Sequence, residues 1–230
     1  MVKPGASLKS SLRKSVIGAY RARGRGKNNL WLVTSVKNKT DWILPSDRQF
    51  IHWIAHLETN SDVKSFNLAP DPVLSSDDIE TRATELDATL VRQNGEVEWH
   101  EVKAGKNKND PKFRSQFLAQ AAAASKEHVK YRILDDTDLK PKVKVSLRWL
   151  KPIAFANALR EHEYTPCRIA LTLFLKQKNS GNIKHVLEAL PDHDSAVVLG
   201  LLAKLAIEGV IELDLEKSTF GLLTFWKYHA

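Results

Sequence analysis

The sequence predicts a mixed α/β domain, followed by a smaller domain of helices that ends in a β-hairpin. Short alternating segments around an Asn-Gly dipeptide indicate strands, and an Ala-rich helical segment follows them. Farther along, apolar residues recur at helical spacing in "CRIALTLFLKQ", "NIKHVLEAL" and "SAVVLGLLAKLAIEGV". We therefore expect a basic arm over residues 1–40, an α/β domain over 41–150 and a second domain over 151–230.

The composition of the 230 residues is typical of a folded, soluble protein. Hydrophobic residues make up 43% of the chain, and six are tryptophans. The single cysteine, Cys167, excludes an intramolecular disulfide and a multi-cysteine zinc site. No apolar run reaches the length of a membrane span, and the first residues lack the apolar centre of a signal peptide. We expect a cytoplasmic protein with no membrane partner.

The formal charge of +8 is concentrated near the N-terminus, because residues 1–40 contain no Asp or Glu. Lysine and arginine side chains bind nucleic-acid phosphates by releasing counterions. A second basic stretch, "KAGKNKNDPK", follows the hairpin described below. The alternative is that the first stretch is a solubilising tail and the second a solvated loop. The residues that we expect to contact DNA are Arg21, Arg23, Arg25, Lys27, Lys106 and Lys108.

The first element of the α/β domain is a helix in "LPSDRQFIHWIAHLETNSDV". Ser46 is placed to cap its N-terminus, and Asn60 ends it. The apolar residues that give it a buried face are Phe50, Trp53, Ile54 and Leu57.

A β-hairpin is predicted in "ELDATLVRQNGEVEWHEVKAG", with its turn at Asn94 and Gly95. A two-residue turn there would place position 87 opposite position 102. Asp87 and Glu101 would then share a face only if a bulge or a twisted end supplied an offset of one residue. Glu101 and Lys103 are two residues apart, so they point to the same face.

Two carboxylates beside a lysine suit metal-assisted phosphodiester chemistry. Mg²⁺ or Mn²⁺ takes oxygen ligands, and Asp87 and Glu101 would supply them. Lys103 could position a water molecule or stabilise charge on the phosphate. On the helix that follows, Gln116 and Gln120 share one face and would be accessory residues. The same pattern also arises by chance in a solvated hairpin with solvent-facing glutamines.

The last third of the chain has the element order of a winged-helix domain. Three helices precede two apolar runs around a polar turn, in "IELDLEKSTFGLLTFW". A generic helical bundle would bury the same helix faces but would not need the terminal hairpin.

From about Ile43 to its C-terminus the chain resembles the TnsA endonuclease subunit of heteromeric transposases. That family has a helix with a Glu-x-x-Phe pattern, a segment ending in "QP", an Asp strand and an x-Val-Lys strand. Here "SDRQF" places Asp47 three residues before Phe50, the middle segment contains "AP", and the remaining motifs supply Asp87, Glu101 and Lys103. Asp47 therefore stands where the family usually has Glu.

The resemblance implies a PD-(D/E)xK nuclease with a restriction-endonuclease-like core and a C-terminal winged-helix domain. Asp47, Asp87 and Glu101 would bind Mg²⁺ or Mn²⁺, and Lys103 would assist the attacking water. The implied reaction is cleavage of the 5′ ends of a transposon in the bacterial cytoplasm, for cut-and-paste transposition. The implied partners are double-stranded DNA, a DDE transposase (TnsB-like) and an AAA+ regulator (TnsC-like).

Two other functions fit the same sequence. One is a restriction- or repair-type PD-(D/E)xK nuclease that acts alone. The other is a non-catalytic DNA-binding regulator that uses the basic arm and the winged helix.

Overall fold

The structure is a computed structural model that describes residues 13–23, 29–76, 81–105 and 111–229. The described residues fall into two compact units. The ranges of the first unit are Met1–Val33, Asp41–Trp53 and Val63–Pro141, and those of the second are Thr34–Thr40, Ile54–Asp62 and Lys142–Ala230.

A four-stranded mixed sheet organises the first unit, in the order β3-β6-β7-β8. The neighbours β3–β6 and β6–β7 are antiparallel, whereas β7 and β8 are parallel. The parallel pair needs a crossover, which helix α3 (Pro111–Lys126) provides. The predicted mixed α/β class is therefore confirmed. The strands are β3 (Val63–Asn67), β6 (Ala88–Arg92), β7 (Val97–Val102) and β8 (Lys130–Leu134).

Shorter elements accompany this sheet. Two strand pairs, β1–β2 and β4–β5, each form a separate two-stranded sheet. The elements are α1 (Val16–Arg23), β1 (Trp31–Ser35), β2 (Thr40–Leu44), β4 (Val73–Ser76), β5 (Thr81–Thr84) and α4 (Asp136–Leu139).

Helix α2 (Asp47–His52) begins where the sequence predicts it. The Ser46 hydroxyl accepts a hydrogen bond from the backbone N–H of Gln49, which satisfies one free donor of the first turn. Phe50 is buried and stacks on the Trp31 indole at a centroid distance of 4.0 Å. The predicted longer helix continues as a π-helical segment, Trp53–Glu58.

The second unit holds the three predicted helices and one that the sequence analysis missed, α5. Its strands form an antiparallel sheet in the order β10-β11-β9. The elements are α5 (Val143–Ala158), α6 (Thr165–Lys178), β9 (Ser180–Asn182), α7 (Ile183–Ala189), α8 (Ser195–Ile207), β10 (Ile211–Leu213) and β11 (Phe225–Tyr228).

Helix α8 lies at the centre of the second unit. Eight of its residues are buried, in the stretch Val198–Ile207. Gly200 permits a close approach to the end of α5, because a Cβ there would lie 2.5 Å from Leu159 Cδ1. The apolar face predicted for this segment therefore extends around most of the helix.

Each helix in the described part of the chain is too short or too polar to cross a membrane.

Candidate active site

Asp87 and Glu101 lie next to the last pair of the β6–β7 ladder. Ala88 pairs with His100, so Asp87 precedes this pair on one side and Glu101 follows it on the other. The backbone N–H of Asp87 donates to His100 O at 3.0 Å, so the regular register ends at this pair. Both acids act electrostatically on Arg13 and on Tyr131, which places the two carboxylates in the same region of the protein.

The ladder differs from the predicted register by one residue, and this difference arises at the turn. The backbone N–H of Arg92 donates to Glu96 O at 2.8 Å, so the loop has three residues rather than the predicted two. Gly95 closes it with φ of +87°, the left-handed conformation that glycine adopts without strain. The extra loop residue moves every pair of the ladder by one position, so Ala88 lies opposite His100 instead of Glu101.

Asp87 is buried within a set of hydrogen-bond donors. Its Oδ1 accepts from the Arg13 guanidinium at 2.9 Å and from the Gln49 amide at 2.8 Å. Its Oδ2 accepts from the backbone N–H of Val102 at 2.7 Å. Arg13 also donates to the backbone carbonyls of Leu68 and Asp87. These contacts hold the carboxylate in one orientation at the start of β6.

Glu101 is also buried, and it contacts a lysine and two glutamines. Its Oε1 lies 2.7 Å from Lys103 Nζ and accepts from Gln116 at 3.4 Å. Its Oε2 accepts from Gln120 at 3.2 Å. The structure thus places both glutamines of α3 against the carboxylate, one turn apart on a single helix face.

Gln120 is itself held in place by several hydrogen bonds. Its amide nitrogen also donates to the Thr84 hydroxyl at 3.0 Å and to the Glu85 carbonyl at 3.2 Å. Its amide oxygen accepts from the Tyr131 hydroxyl at 2.5 Å. This network fixes the orientation of the Gln120 amide, and so of Glu101.

The charges of the two carboxylates affect their neighbours. Burial raises the pKa of Tyr131, and the nearby charges of Glu101 and Asp87 raise it further, so the phenol stays protonated. Burial lowers the pKa of Arg13, whereas Asp87 and Glu101 oppose that shift. Arg13 therefore remains a cation beside both acids, because arginine starts from a very high pKa.

Asp47 is the first residue of α2. It is exposed, and its Oδ1 accepts from Asn29 and from the Trp31 indole N–H, both at 2.9 Å. Within the described residues these are its hydrogen bonds, and neither partner belongs to the hairpin. The α2 residue that reaches Asp87 is Gln49.

Arg13 and Gln49 were not predicted as site residues. Arg13 carries no local signal, since charge does not distinguish a buried arginine from the other basic residues of the arm. Gln49 carries none either. Its position one turn before His52 becomes informative only in the structure, where Gln49 contacts Asp87 and His52 contacts His100.

The residues predicted to bind DNA are described only in part. Arg21 is an exposed residue of α1, and Arg23 is the last residue of that helix. Arg25, Lys27, Lys106 and Lys108 lie outside the described residues.

A shallow groove of about 380 Å³ adjoins the site. Gln116 borders both the groove and Glu101, and Thr84 borders both the groove and Gln120. The other residues that line it are Ala83, Glu85, Ser115 and Ala119.

The chemistry of the donors suits a hard divalent cation. Asp87 and Glu101 supply two carboxylates, and Mg²⁺ binds through one or two carboxylates plus substrate phosphate and water. Among the described residues no group of three His, Cys, Asp or Glu side chains could hold a metal ion.

No family model and no curated protein matches this sequence. The functional assignment therefore depends on the chemistry of the residues themselves.

Proposed function

We propose that the protein is a Mg²⁺- or Mn²⁺-dependent DNA endonuclease with a restriction-endonuclease-like core. The observation that carries this proposal is the presence of two buried acids, Asp87 and Glu101, at one end of the β6–β7 hairpin, with Lys103 bound to Glu101. Buried acids beside a lysine are typical of active sites rather than of solvated hairpins. The resemblance to TnsA suggests that the substrate is DNA at transposon ends.

The residues divide the chemistry among themselves. The cation, when bound, would polarise the scissile phosphate and lower the pKa of a coordinated water. Asp87 and Glu101 would hold it. The Lys103 ammonium, whose side chain is 18% exposed, would position the water and stabilise charge on the phosphate. Gln116 and Gln120 keep Glu101 oriented, which limits reorganisation during the reaction.

The second unit supports a winged-helix domain that does not read DNA through its third helix. Its order of helix, strand, two helices and two strands follows the winged-helix pattern from α6 to β11. The third helix of such domains normally enters the major groove, but α8 is buried over most of its length. This argues against a regulator that acts through this helix alone.

The transposon proposal includes a DDE transposase and an AAA+ regulator as partners, in the bacterial cytoplasm. A nuclease that acts alone would use the same site and would differ only in its dependence on partners. Nicking of transposon-end DNA, with and without the co-encoded transposase, distinguishes these two cases.

The test of the site is a Mg²⁺-dependent nicking assay on the full chain. We expect activity to be lost in Asp87→Asn and Lys103→Met. Asp87→Asn preserves the shape of a side chain that Arg13 contacts, so it disturbs folding less than alanine would. Glu96→Gln, on an exposed position of the same hairpin, is the matched control. Nicking that survives both site substitutions would show that the assignment is wrong.

A further inference from the structure

Helix α2 carries Asp47 and Gln49 in its first turn, and only Gln49 reaches the candidate site. Successive residues of an α-helix are rotated by about 100°, so Asp47 and Gln49 point about 200° apart. Gln49 points to the hairpin, where its amide nitrogen donates to Asp87 Oδ1 at 2.8 Å. Asp47 consequently points away from the hairpin.

Local contacts fix this orientation. The Ser46 side chain holds the backbone N–H of Gln49 at the first turn, and the stacking of Phe50 on Trp31 anchors the next residue. Asp47 is in turn held by the neutral donors of Asn29 and Trp31. Moving Asp47 to the hairpin would break both of those hydrogen bonds and turn the helix.

The amide oxygen of Gln49 is the unusual feature. It is buried, and among the described residues it has no hydrogen-bond partner. A buried carbonyl oxygen without a donor is unfavourable unless another group compensates it. In the present orientation the amide nitrogen contacts Asp87, so the oxygen would take that place only after a half-turn of the amide, which moves the nitrogen to the place of the oxygen.

We infer that the Gln49 amide oxygen is a neutral ligand of the divalent cation held by Asp87 and Glu101, and that Asp47 is not a ligand. The inference rests on the proposed function. Mg²⁺ and Mn²⁺ accept amide oxygens together with carboxylates. With a neutral third ligand, the site carries two negative charges instead of the three that three acids would supply. The cation therefore binds weakly until the substrate phosphate adds its charge.

The experiment measures Mn²⁺ binding to the full chain without DNA, by electron paramagnetic resonance of the free ion. Gln49→Leu removes the amide at nearly constant volume, and we expect it to weaken binding by about tenfold. Gln49→Glu adds a charged oxygen at the same place, and we expect it to tighten binding by about tenfold. Asp47→Asn should leave the affinity unchanged.

Two controls separate the possible failures. Asp87→Asn should abolish the binding; if it does not, or if the wild-type chain binds no Mn²⁺, the metal site of the proposed function is itself wrong. If Asp87→Asn abolishes binding but Gln49→Leu leaves it intact, only the role of Gln49 is wrong. Weakening by Asp47→Asn would likewise overturn the inference.

A thermal-melt measurement keeps the test decisive if Gln49→Leu folds poorly. Gln49→Glu places a second carboxylate beside that of Asp87. In the absence of metal, we expect repulsion between the two carboxylates to give this variant a lower melting temperature than wild type. Mn²⁺ should then raise its melting temperature more than it raises that of wild type. An equal or smaller rise would contradict the inference.

Discussion

Strand β7 carries two wholly buried glutamates that point to opposite faces of the sheet, Glu98 and Glu101. Glu98 binds charged donors: Arg92 contacts both of its oxygens at 2.9 and 3.0 Å, and Lys130 lies 3.1 Å away. Glu101 contacts Lys103 and the neutral amides of Gln116 and Gln120 on α3.

The difference shows that burial of a carboxylate does not by itself indicate function. The partners of Glu98 are Arg92, Lys130 and His100, none of which belongs to the candidate site, so Glu98 serves as a structural anchor. Glu101 is bound instead by Lys103 and by two amides of α3, all of which were predicted as site residues. The identity of the partners distinguishes the two acids, and a cationic partner alone does not, because Asp87 is also paired with a buried arginine.

Two histidines, His52 and His100, belong to the network around Glu98. His100 contacts Glu98 through Nε2 at 3.2 Å and shares a hydrogen bond of 2.9 Å with His52 through Nδ1. Since a carboxylate only accepts, His100 Nε2 carries the proton. Both rings are buried on the Glu98 side, which makes them part of the structural network and not of the candidate site.

The largest effect is expected from substituting the lysine that contacts Glu101, with the lysine that contacts Glu98 as the comparison. Lys103→Met should lower the rate of Mg²⁺-dependent nicking by about 10²–10⁴-fold, because it removes the proposed group at the reacting phosphate. Lys130→Met removes a 62% exposed lysine from Glu98 and should leave the rate unchanged. Equal losses of nicking rate in the two variants would contradict the proposed distinction between Glu101 and Glu98.

A second comparison concerns stability. Arg13→Met leaves Asp87 without its buried cation, and we expect the free energy of unfolding to fall by about 3–5 kcal/mol. Lys130→Met should cost less than about 1 kcal/mol, because its ammonium is exposed and Arg92 remains on Glu98. Urea denaturation followed by circular dichroism measures both. A loss below about 1 kcal/mol in Arg13→Met would mean that the Asp87 ion pair is not a stabilising contact.

The pH dependence of stability tests the Glu98 network. Burial alone would raise the pKa of Glu98, but hydrogen bonds from Arg92, Lys130 and His100 lower it from 4.5 to about 2. The resulting stabilisation, on the order of 3 kcal/mol, is fully present above about pH 4.5 and is lost as the pH falls through 2.

Acid titration of the unfolding free energy in wild type and Glu98→Gln provides the measurement. We expect the wild-type curve to fall more steeply than that of the variant between about pH 5 and pH 2. Parallel curves would show that Glu98 titrates at its ordinary pKa.

The smallest expected effect concerns the hairpin turn that aligns the two faces. Gly95→Ala places a side chain at φ of +87° and should cost about 1–2 kcal/mol, although space is open around it. Gln93→Ala, at an exposed position of the same loop, should change stability by less than about 0.5 kcal/mol. Thermal unfolding measures both, and an unchanged melting temperature in Gly95→Ala would contradict the strained-turn assignment.

Local signals predicted many elements of this protein. The cap at Ser46, the Ala-rich helix α3, strand β8 and three helices of the second unit follow from short-range patterns. Helix α5 was missed although Ser146, Ile153 and Ala156 bury one helical face, because Lys142 and Lys144 at its start and Pro152 within it mask the pattern. The hairpin was predicted in place but in the wrong register, since one loop residue decides which positions are opposite.

The mixed α/β class and the choice of Asp87, Glu101 and Lys103 as candidates follow from the amino-acid sequence alone, because alternation, helical spacing and residue type are local properties. Which side chains surround these acids depends on tertiary packing. Arg13 and Gln49 reach Asp87 from segments 74 and 38 residues away along the chain. Such contacts depend on how separate elements pack, and no local pattern encodes that packing. The same packing turns Asp47 toward Trp31 and gives Gln49 the place beside Asp87.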